Sequence, residues 1–167
     1  MRIATWNLES VRPLTAERQA KLLHTMQKQD AEIWVLTETW RTFAPTAQHV
    51  GVAESDAGED LAATPERRWV TIWARAGLSF ETITDHGARD RMACGVIRGT
   101  SPVPIVVIGT VLPWGSDSLF RGADGFATAL SVQQRCWKRL FDAHPDAAFV
   151  VAGDFNQSLP QAQRTKV

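Results

Sequence analysis

Three runs of the sequence consist only of apolar residues, and they limit the folds that the chain can adopt. The runs are IWVL (33–36), IVVI (105–108) and FVVA (149–152). Each has the length of a β-strand, and an apolar side chain at every position indicates that both faces of the strand are covered. We therefore expect these runs to lie inside layered sheets that have helices packed against them.

The rest of the chain supplies further strands and two helices in a mixed order. Helical periodicity extends over 15–30, with Thr15 suited to the N-cap, and over 125–145, where the helix ends before Pro145. The acidic stretch 50–68, rich in Gly and Ala, predicts an exposed loop. The predicted strands are 2–8, 31–38, 69–75, 92–98, 103–112 and 147–153. This order predicts an α/β arrangement in which at least part of the sheet is antiparallel.

The composition is that of a globular chain with no strong overall charge. Its 167 residues, 44% of them hydrophobic, predict one domain over 1–167. Eighteen basic and eighteen acidic residues cancel, which argues against tight binding of duplex DNA through many phosphates. A local basic patch remains compatible with this balance.

The cysteines and the N-terminus point to no special processing. Cys94 and Cys136 lack the CxxC spacing of a zinc site, and we expect both to be buried free thiols. The N-terminal MRIATWNLES has no apolar stretch of signal-peptide length, and no run approaches the ~20 apolar residues of a membrane span. We expect a cytoplasmic protein without a membrane span.

Polar side chains follow three of the predicted strands, at the point where each strand ends. Asn7 and Glu9 end the first, Glu38 ends the second, and Asp154 and Asn156 end the last. Residues at the carboxyl ends of strands in layered sheets converge in space. Carboxylate and amide oxygens without thiolates or imidazoles suit Mg²⁺ or Mn²⁺, which proteins often hold together with a substrate phosphate. The pattern predicts metal-assisted phosphate chemistry, although each residue taken alone also fits a turn or a surface ion pair.

The blocks RIATWNLES, LTETW and VVAGDFNQS, in this order, resemble the signature blocks of the endonuclease/exonuclease/phosphatase superfamily, which includes DNase I and the exonuclease III-type endonucleases. The resemblance spans the chain from Asn7 to Asn156, and GDFN is its most specific block. It implies a four-layer α/β/β/α sandwich of two mostly antiparallel sheets. It also implies a Mg²⁺- or Mn²⁺-dependent phosphodiesterase.

The resemblance assigns a role to each residue at the strand ends. Glu38 would be the main metal ligand, and Asn7 beside it would orient the metal or the phosphate. Glu9 would assist near the metal, with a structural role as the alternative. Asp154 would orient or deprotonate the attacking water, and Asn156 would donate a hydrogen bond to the scissile phosphate. These roles agree with the chemistry that the residue types predict.

Three further residues are candidates for substrate binding. Thr110 and Trp114 lie in GTVLPW, the block where many relatives place a Tyr or His that faces the phosphate. Trp114 is a candidate for stacking on a base or a sugar, the alternative being a tryptophan of the core or rim. Arg91 precedes a predicted strand and is a candidate for a phosphate contact, with a solvated turn as the alternative.

The superfamily pattern ends with an S-D-H block, which this sequence does not contain after GDFN. We therefore expect the fold to be incomplete at its C-terminus and to leave a sheet edge open, with self-association as a possible result. Two interpretations of the site follow: part of a metal-dependent nuclease, or a module that binds phosphate ligands without cleaving them. A phosphatase acting on a small or lipid phosphoester and a purely structural interaction domain are further alternatives.

Overall fold

The computed structural model describes residues 1–9, 15–57, 64–114 and 122–156. These residues form eight strands and two helices in the order β1-α1-β2-β3-β4-β5-β6-β7-α2-β8. The strands are β1 (Ile3–Asn7), β2 (Ile33–Trp40), β3 (His49–Glu54), β4 (Arg67–Arg75), β5 (Ser79–Ile83), β6 (Met92–Arg98), β7 (Ile105–Val111) and β8 (Ala148–Asp154), and the helices are α1 (Ala16–Gln29) and α2 (Gly122–Ala143). The six predicted strands and both predicted helices are present.

The strands form two four-stranded sheets. The first has the order β1-β2-β4-β3 and the second the order β5-β6-β7-β8. Each sheet has one parallel pair, β1 with β2 and β7 with β8, and its other pairs are antiparallel. The sheets are therefore mostly antiparallel, as the resemblance implied.

Three apolar clusters show how the sheets and helices are layered. The inner cluster joins residues of β2 and β4 to residues of β6 and β7, so the two sheets pack face to face. On the outer face of the first sheet, Met26 of α1 packs with Trp34 and Leu36. On the outer face of the second sheet, Cys136 and Leu140 of α2 pack against strands β6 and β7. The predicted four-layer α/β/β/α sandwich is confirmed.

Helix α1 has the termini that its sequence predicts. The Thr15 side chain accepts a hydrogen bond from the Arg18 N–H, and Glu17 lies in the first turn, where the helix dipole favours an acid. Asp30 closes the helix in a left-handed conformation. Within the described residues, no helix is both long and apolar enough to cross a membrane.

Two strands were not predicted, and both are edge strands. Strand β3 occupies the start of the stretch 50–68 that was predicted as a loop, and β5 lies between two predicted strands. Both expose much of their length, so their sequences lack the apolar alternation of a half-buried strand. In β3 the register also shifts between Gly51 and Ala53, which interrupts any period of two.

The parallel pairs bring the polar strand ends together. Asn7 at the end of β1 lies opposite Thr37 in β2, and Asp154 at the end of β8 lies opposite Val111 in β7. Strands β1 and β8 belong to different sheets, yet they contact each other on the same side of the sandwich. The ends of β1, β2 and β8 therefore meet at one edge of the molecule.

Candidate active site at the strand ends

Asn7, Glu38 and Asp154 form a hydrogen-bonded cluster at the last residues of β1 and β8 and two residues before the end of β2. The Asn7 Nδ2 group donates to Glu38 Oε1 at 3.1 Å and to Asp154 Oδ2 at 2.7 Å. The two carboxylates come from different sheets and converge on one amide nitrogen. This convergence was predicted from the sequence, whereas the bridging role of the amide was not.

The orientation of the Asn7 amide follows from its other contact. Its Oδ1 atom accepts the backbone N–H of Glu9 at 2.8 Å, so the NH₂ group must face the two carboxylates. Two carboxylates that face each other repel unless a donor or a cation lies between them. The amide supplies that donor here, and it holds both acids in a partly buried position.

Asp154 and Asn156 form a turn that is tied to the end of β7. The Asn156 N–H donates to Asp154 Oδ1 at 2.9 Å, and the Asn156 Nδ2 group donates to the Leu112 carbonyl at 2.7 Å. The Leu112 N–H in turn donates to the Asp154 carbonyl at 2.9 Å. Because each Asp154 carboxylate oxygen accepts one of these bonds or the bond from Asn7, the carboxylate has a fixed orientation.

The backbone is strained at this same edge. Across the described ranges, the non-glycine residues with positive φ are Glu9 (48°), Asp30 (45°), Glu38 (45°) and Asn156 (48°). Asp30 closes a helix, and the other three belong to the strand ends that form the cluster. A left-handed glutamate within a strand costs about 1–3 kcal/mol, and such strain concentrates where side chains must be aimed at a site.

Glu9 and Thr110 are not brought into the cluster by their side chains. The Glu9 carboxylate is exposed and lies 3.9 Å from the Arg18 guanidinium, while its backbone alone contacts Asn7. Thr110 is completely buried, and its hydroxyl donates to the side-chain oxygen of Gln133 in α2. Their predicted roles in metal and substrate binding remain predictions.

Arg91 and Trp114 lie beside the cluster in a group of three side chains that also contains Trp69. The Arg91 guanidinium lies 4.1 Å from the centroid of the Trp69 ring, and it is only 3% exposed. Trp114 meets Trp69 edge to face, with ring centroids 5.8 Å apart, and remains partly exposed. We call these residues the Trp–Arg–Trp stack. Sequence reasoning missed Trp69, because one more aromatic residue in a buried strand gives no functional signal.

The Trp–Arg–Trp stack lies at the same edge as the cluster, because residues next to its members in the sequence contact the cluster. The Arg91 carbonyl accepts the Val111 N–H at 3.0 Å, and Val111 lies opposite Asp154. Trp114 follows Leu112, which bonds to both Asp154 and Asn156. Trp69 belongs to the part of β4 that pairs with the end of β2 around Glu38.

The donors of the cluster fit a hard divalent cation. Carboxylate oxygens of Glu38 and Asp154 lie close together because both accept from the Asn7 amide nitrogen, and Mg²⁺ is commonly held by one or two carboxylates with waters and a phosphate. Among the described residues, no group of three or more His, Cys, Asp or Glu side chains is arranged to hold a metal ion. Glu38 and Asp154 would therefore hold such a cation only together with waters or a substrate phosphate.

Other buried titratable groups lie outside the cluster. Burial raises the pKa of the Cys94 thiol to about 12, with Cys136 nearby adding to the effect, so this thiol stays protonated. Both cysteines are free and buried, as expected from the sequence. Burial is also the main reason that the pKa of His86 falls below its usual 6.5, with Arg89 contributing. We assign none of these groups to the candidate site.

Comparison with known proteins supports the fold. No protein-family model and no curated protein sequence matches the chain. Among solved structures, the chain is similar to AP endonuclease LMAP from Leishmania major (17% identity, TM-score 0.69, covering 98% of this chain and 57% of that one). It is also similar to D. rerio TDP2 complexed with single-strand DNA product (14% identity, TM-score 0.60, covering 94% and 61%). A third is ANGEL2, a 2′,3′-cyclic phosphatase (17% identity, TM-score 0.59, covering 86% and 44%).

These similarities establish the endonuclease/exonuclease/phosphatase fold for this chain and confirm the resemblance at that level. The chain spans 57%, 61% and 44% of the lengths of the three structures. Sequence identity below one fifth carries no residue roles across, so the chemistry must be argued from the residues of this chain.

Proposed function

We propose that this chain is a divalent-metal-dependent phosphoester hydrolase acting on nucleic-acid phosphodiesters. The observation that carries the proposal is the bridge of the Asn7 amide to both Glu38 and Asp154. Three strand ends from two sheets meet there, in a fold that nucleic-acid endonucleases also have. A purely structural role would not require two acids to converge with strained backbone beside them.

Glu38 would hold the metal, with Asn7 and Asp154 beside it. The ion would supply Lewis-acid neutralisation of the charge that builds on the phosphate oxygens. Mg²⁺ and Mn²⁺ both suit these oxygen donors. Glu9 contributes to the site through its backbone N–H, which fixes the Asn7 amide, and its carboxylate is a further candidate for holding metal-bound water.

Asp154 is the residue that would handle the proton. Its carboxylate is held by the Asn7 amide and the Asn156 N–H, so it can orient an attacking water and accept its proton. Asn156 would donate to the phosphate as its charge develops. Its anchor on the Leu112 carbonyl fixes the direction of that side chain.

Nucleic acid is the substrate class that we place first. The compared structures include an AP endonuclease and a TDP2 bound to a single-strand DNA product. The 2′,3′-cyclic phosphatase shows that the same fold also serves a different phosphoester. A phosphatase acting on a small or lipid phosphoester is therefore the second candidate.

The test is Glu38→Gln, which keeps the shape and removes the charge that would hold the metal. We expect phosphodiesterase activity with Mg²⁺ or Mn²⁺ to fall at least ~100-fold. Glu81→Gln, a surface acid on β5 that pairs with Arg98, is the matched control and should keep full activity.

Substrates should include single-stranded DNA, RNA, plasmid DNA and bis-p-nitrophenyl phosphate. Equal activity of the wild type and Glu38→Gln would overturn the proposal. Binding of phosphorylated ligands without any cleavage would support the alternative, in which the chain is a phosphate-binding module.

A further inference from the structure

We infer that Trp114 is a stacking platform for an unpaired nucleobase, and that Arg91 and Trp69 hold it in place. The inference rests on the proposed function, because it names the part of the substrate that the same site would recognise. It selects nucleic acid with unstacked bases over small phosphoesters that carry no base. It also assigns Arg91 a positioning role instead of the predicted phosphate contact.

The packing of the Trp–Arg–Trp stack supports this assignment. Trp69 is 5% exposed and Arg91 is 3% exposed, so neither offers a face to a ligand, whereas Trp114 is partly exposed. The guanidinium covers the Trp69 ring, and Trp69 and Trp114 meet in an edge-to-face arrangement, which restricts the position of the Trp114 ring. A rigid ring loses little entropy when a base stacks on it.

Trp114 lies two residues along the chain from the backbone that anchors the cluster. The Leu112 carbonyl anchors Asn156, which is the residue proposed to contact the phosphate. Trp114 comes after Leu112 in the sequence. A phosphate at the cluster would therefore leave its attached base or the next one near Trp114. A base in a duplex is already stacked on its neighbours and offers no free face, so the platform favours single strands or extruded bases.

Ion pairs among the described residues explain why base stacking would contribute to the affinity for nucleic acid. Arg18, Arg41, Arg68 and Arg89 each form an ion pair with an acid, so their charge is already partly neutralised. Proteins that bind nucleic acids through many phosphates depend on cations that can replace condensed counterions. With a formal net charge of zero, the chain has a smaller excess of cations to supply that affinity, and base stacking takes a larger share.

The test measures binding in EDTA, where the proposed hydrolysis cannot occur. Fluorescence anisotropy would compare a labelled thymine oligonucleotide with an abasic one that has the same number of phosphates. We expect the wild type to bind the thymine strand about tenfold more tightly, and Trp114→Ala to lose that preference. Trp114→Phe, which keeps a ring, should retain most of it.

Trp137→Ala is the matched control, since it removes another partly buried tryptophan from a different cluster. It should leave the base preference unchanged, with circular dichroism checking the fold of each variant. Arg91→Met should reduce the preference while Trp114 is still present, as expected of a positioning residue. Affinity should depend weakly on salt, with a log–log slope equivalent to one or two phosphates.

Equal affinity of the wild type for the two strands, or a preference that survives in Trp114→Ala, would overturn the inference. Binding is measured without hydrolysis. A preference for the thymine strand without any cleavage would therefore contradict the proposed function and leave the stacking inference standing. Equal cleavage of both strands in Mg²⁺, together with equal binding in EDTA, would contradict only the inference that Trp114 is a stacking platform.

Discussion

At the scale of single residues, the amide of Asn7 does more than accompany two acids. Its NH₂ group lies between the Glu38 and Asp154 carboxylates, and its oxygen is already used by the Glu9 N–H. The amide thus lies between two acids that would otherwise repel each other. Replacing only its NH₂ group tests this directly.

Asn7→Asp keeps the acceptor for Glu9 and places a third carboxylate beside Glu38 and Asp154. We expect its free energy of unfolding in EDTA to be lower than that of the wild type by about 2 kcal/mol, through lost hydrogen bonds and added repulsion. Mg²⁺ should restore more stability to Asn7→Asp than to Asn7→Ala. Urea unfolding followed by tryptophan fluorescence, with and without Mg²⁺, measures both differences.

Asn7→Ala is the control because it loses the same hydrogen bonds without adding charge. If the two variants responded equally to Mg²⁺, the cluster would not be a cation site.

The sequence predicted which residues form this cluster better than it predicted their contacts. Polar residues that directly follow apolar runs can be recognised in the sequence, so Asn7, Glu38 and Asp154 were predicted. The orientation of the Asn7 amide depends on the Glu9 backbone and on β8, which lies far along the chain. No local sequence pattern predicts this orientation. The same reason applies to Arg91, whose stacking on Trp69 requires the turn before β6 to pack against β4.

At the scale of elements, Gly153 sets how closely the end of β8 approaches β7. Its φ is 139°, a conformation that L side chains rarely adopt. A Cβ atom at this position would lie 1.9 Å from the Thr110 carbonyl oxygen, which is backbone and cannot rotate away. The close approach brings Asp154 level with Val111 and next to the Leu112 N–H.

Gly153→Ala should therefore destabilise the fold strongly, by at least ~3 kcal/mol, because either β8 moves or the backbone is distorted. Gly99→Ala is the matched control: its φ is also positive, at 79°, but nothing lies within 4 Å of the added Cβ. That change should cost only about 1 kcal/mol. Chemical denaturation of both variants gives the comparison, and equal losses would show that the contact with Thr110 does not limit the strand.

Elements were predicted well where they are buried and poorly where they are not. Strands β2, β4 and β7 bury nearly all of their residues, and their apolar runs were evident. Strand β5 leaves Ser79, Glu81 and Thr82 exposed, so its sequence resembles that of a loop. It is a strand because it pairs with β6, and the pairing partner of a strand cannot be recognised from a single sequence.

At the scale of the whole molecule, β1 and β8 are the apolar edges of the two sheets. Within the described part of the chain, each pairs on one side only, and the two edges lie next to each other. The opposite edge strands, β3 and β5, are more polar and more exposed. An apolar edge is a template for pairing with another strand, so we propose self-association through β1 and β8.

Thr5→Lys places a charge on the exposed side of β1 and should reduce this association. Val50→Lys makes the same addition on β3, at the opposite edge of the same sheet, and should leave association unchanged. Sedimentation velocity over a range of concentrations measures the apparent mass of each variant. A wild type that stays monomeric throughout, or two variants that behave alike, would contradict the proposal.

The hydrogen bond between Asn7 and Asp154 joins residues 147 positions apart, in the first and last strands of the described chain. A contact of such long range forms only after the large loop between its partners has closed, so the cluster should assemble among the last steps of folding. Anything that binds the cluster therefore holds the two outermost strands together. By mass action, its binding energy would suppress fraying of both sheet edges at once, and hydrogen exchange in β1 and β8 would slow together.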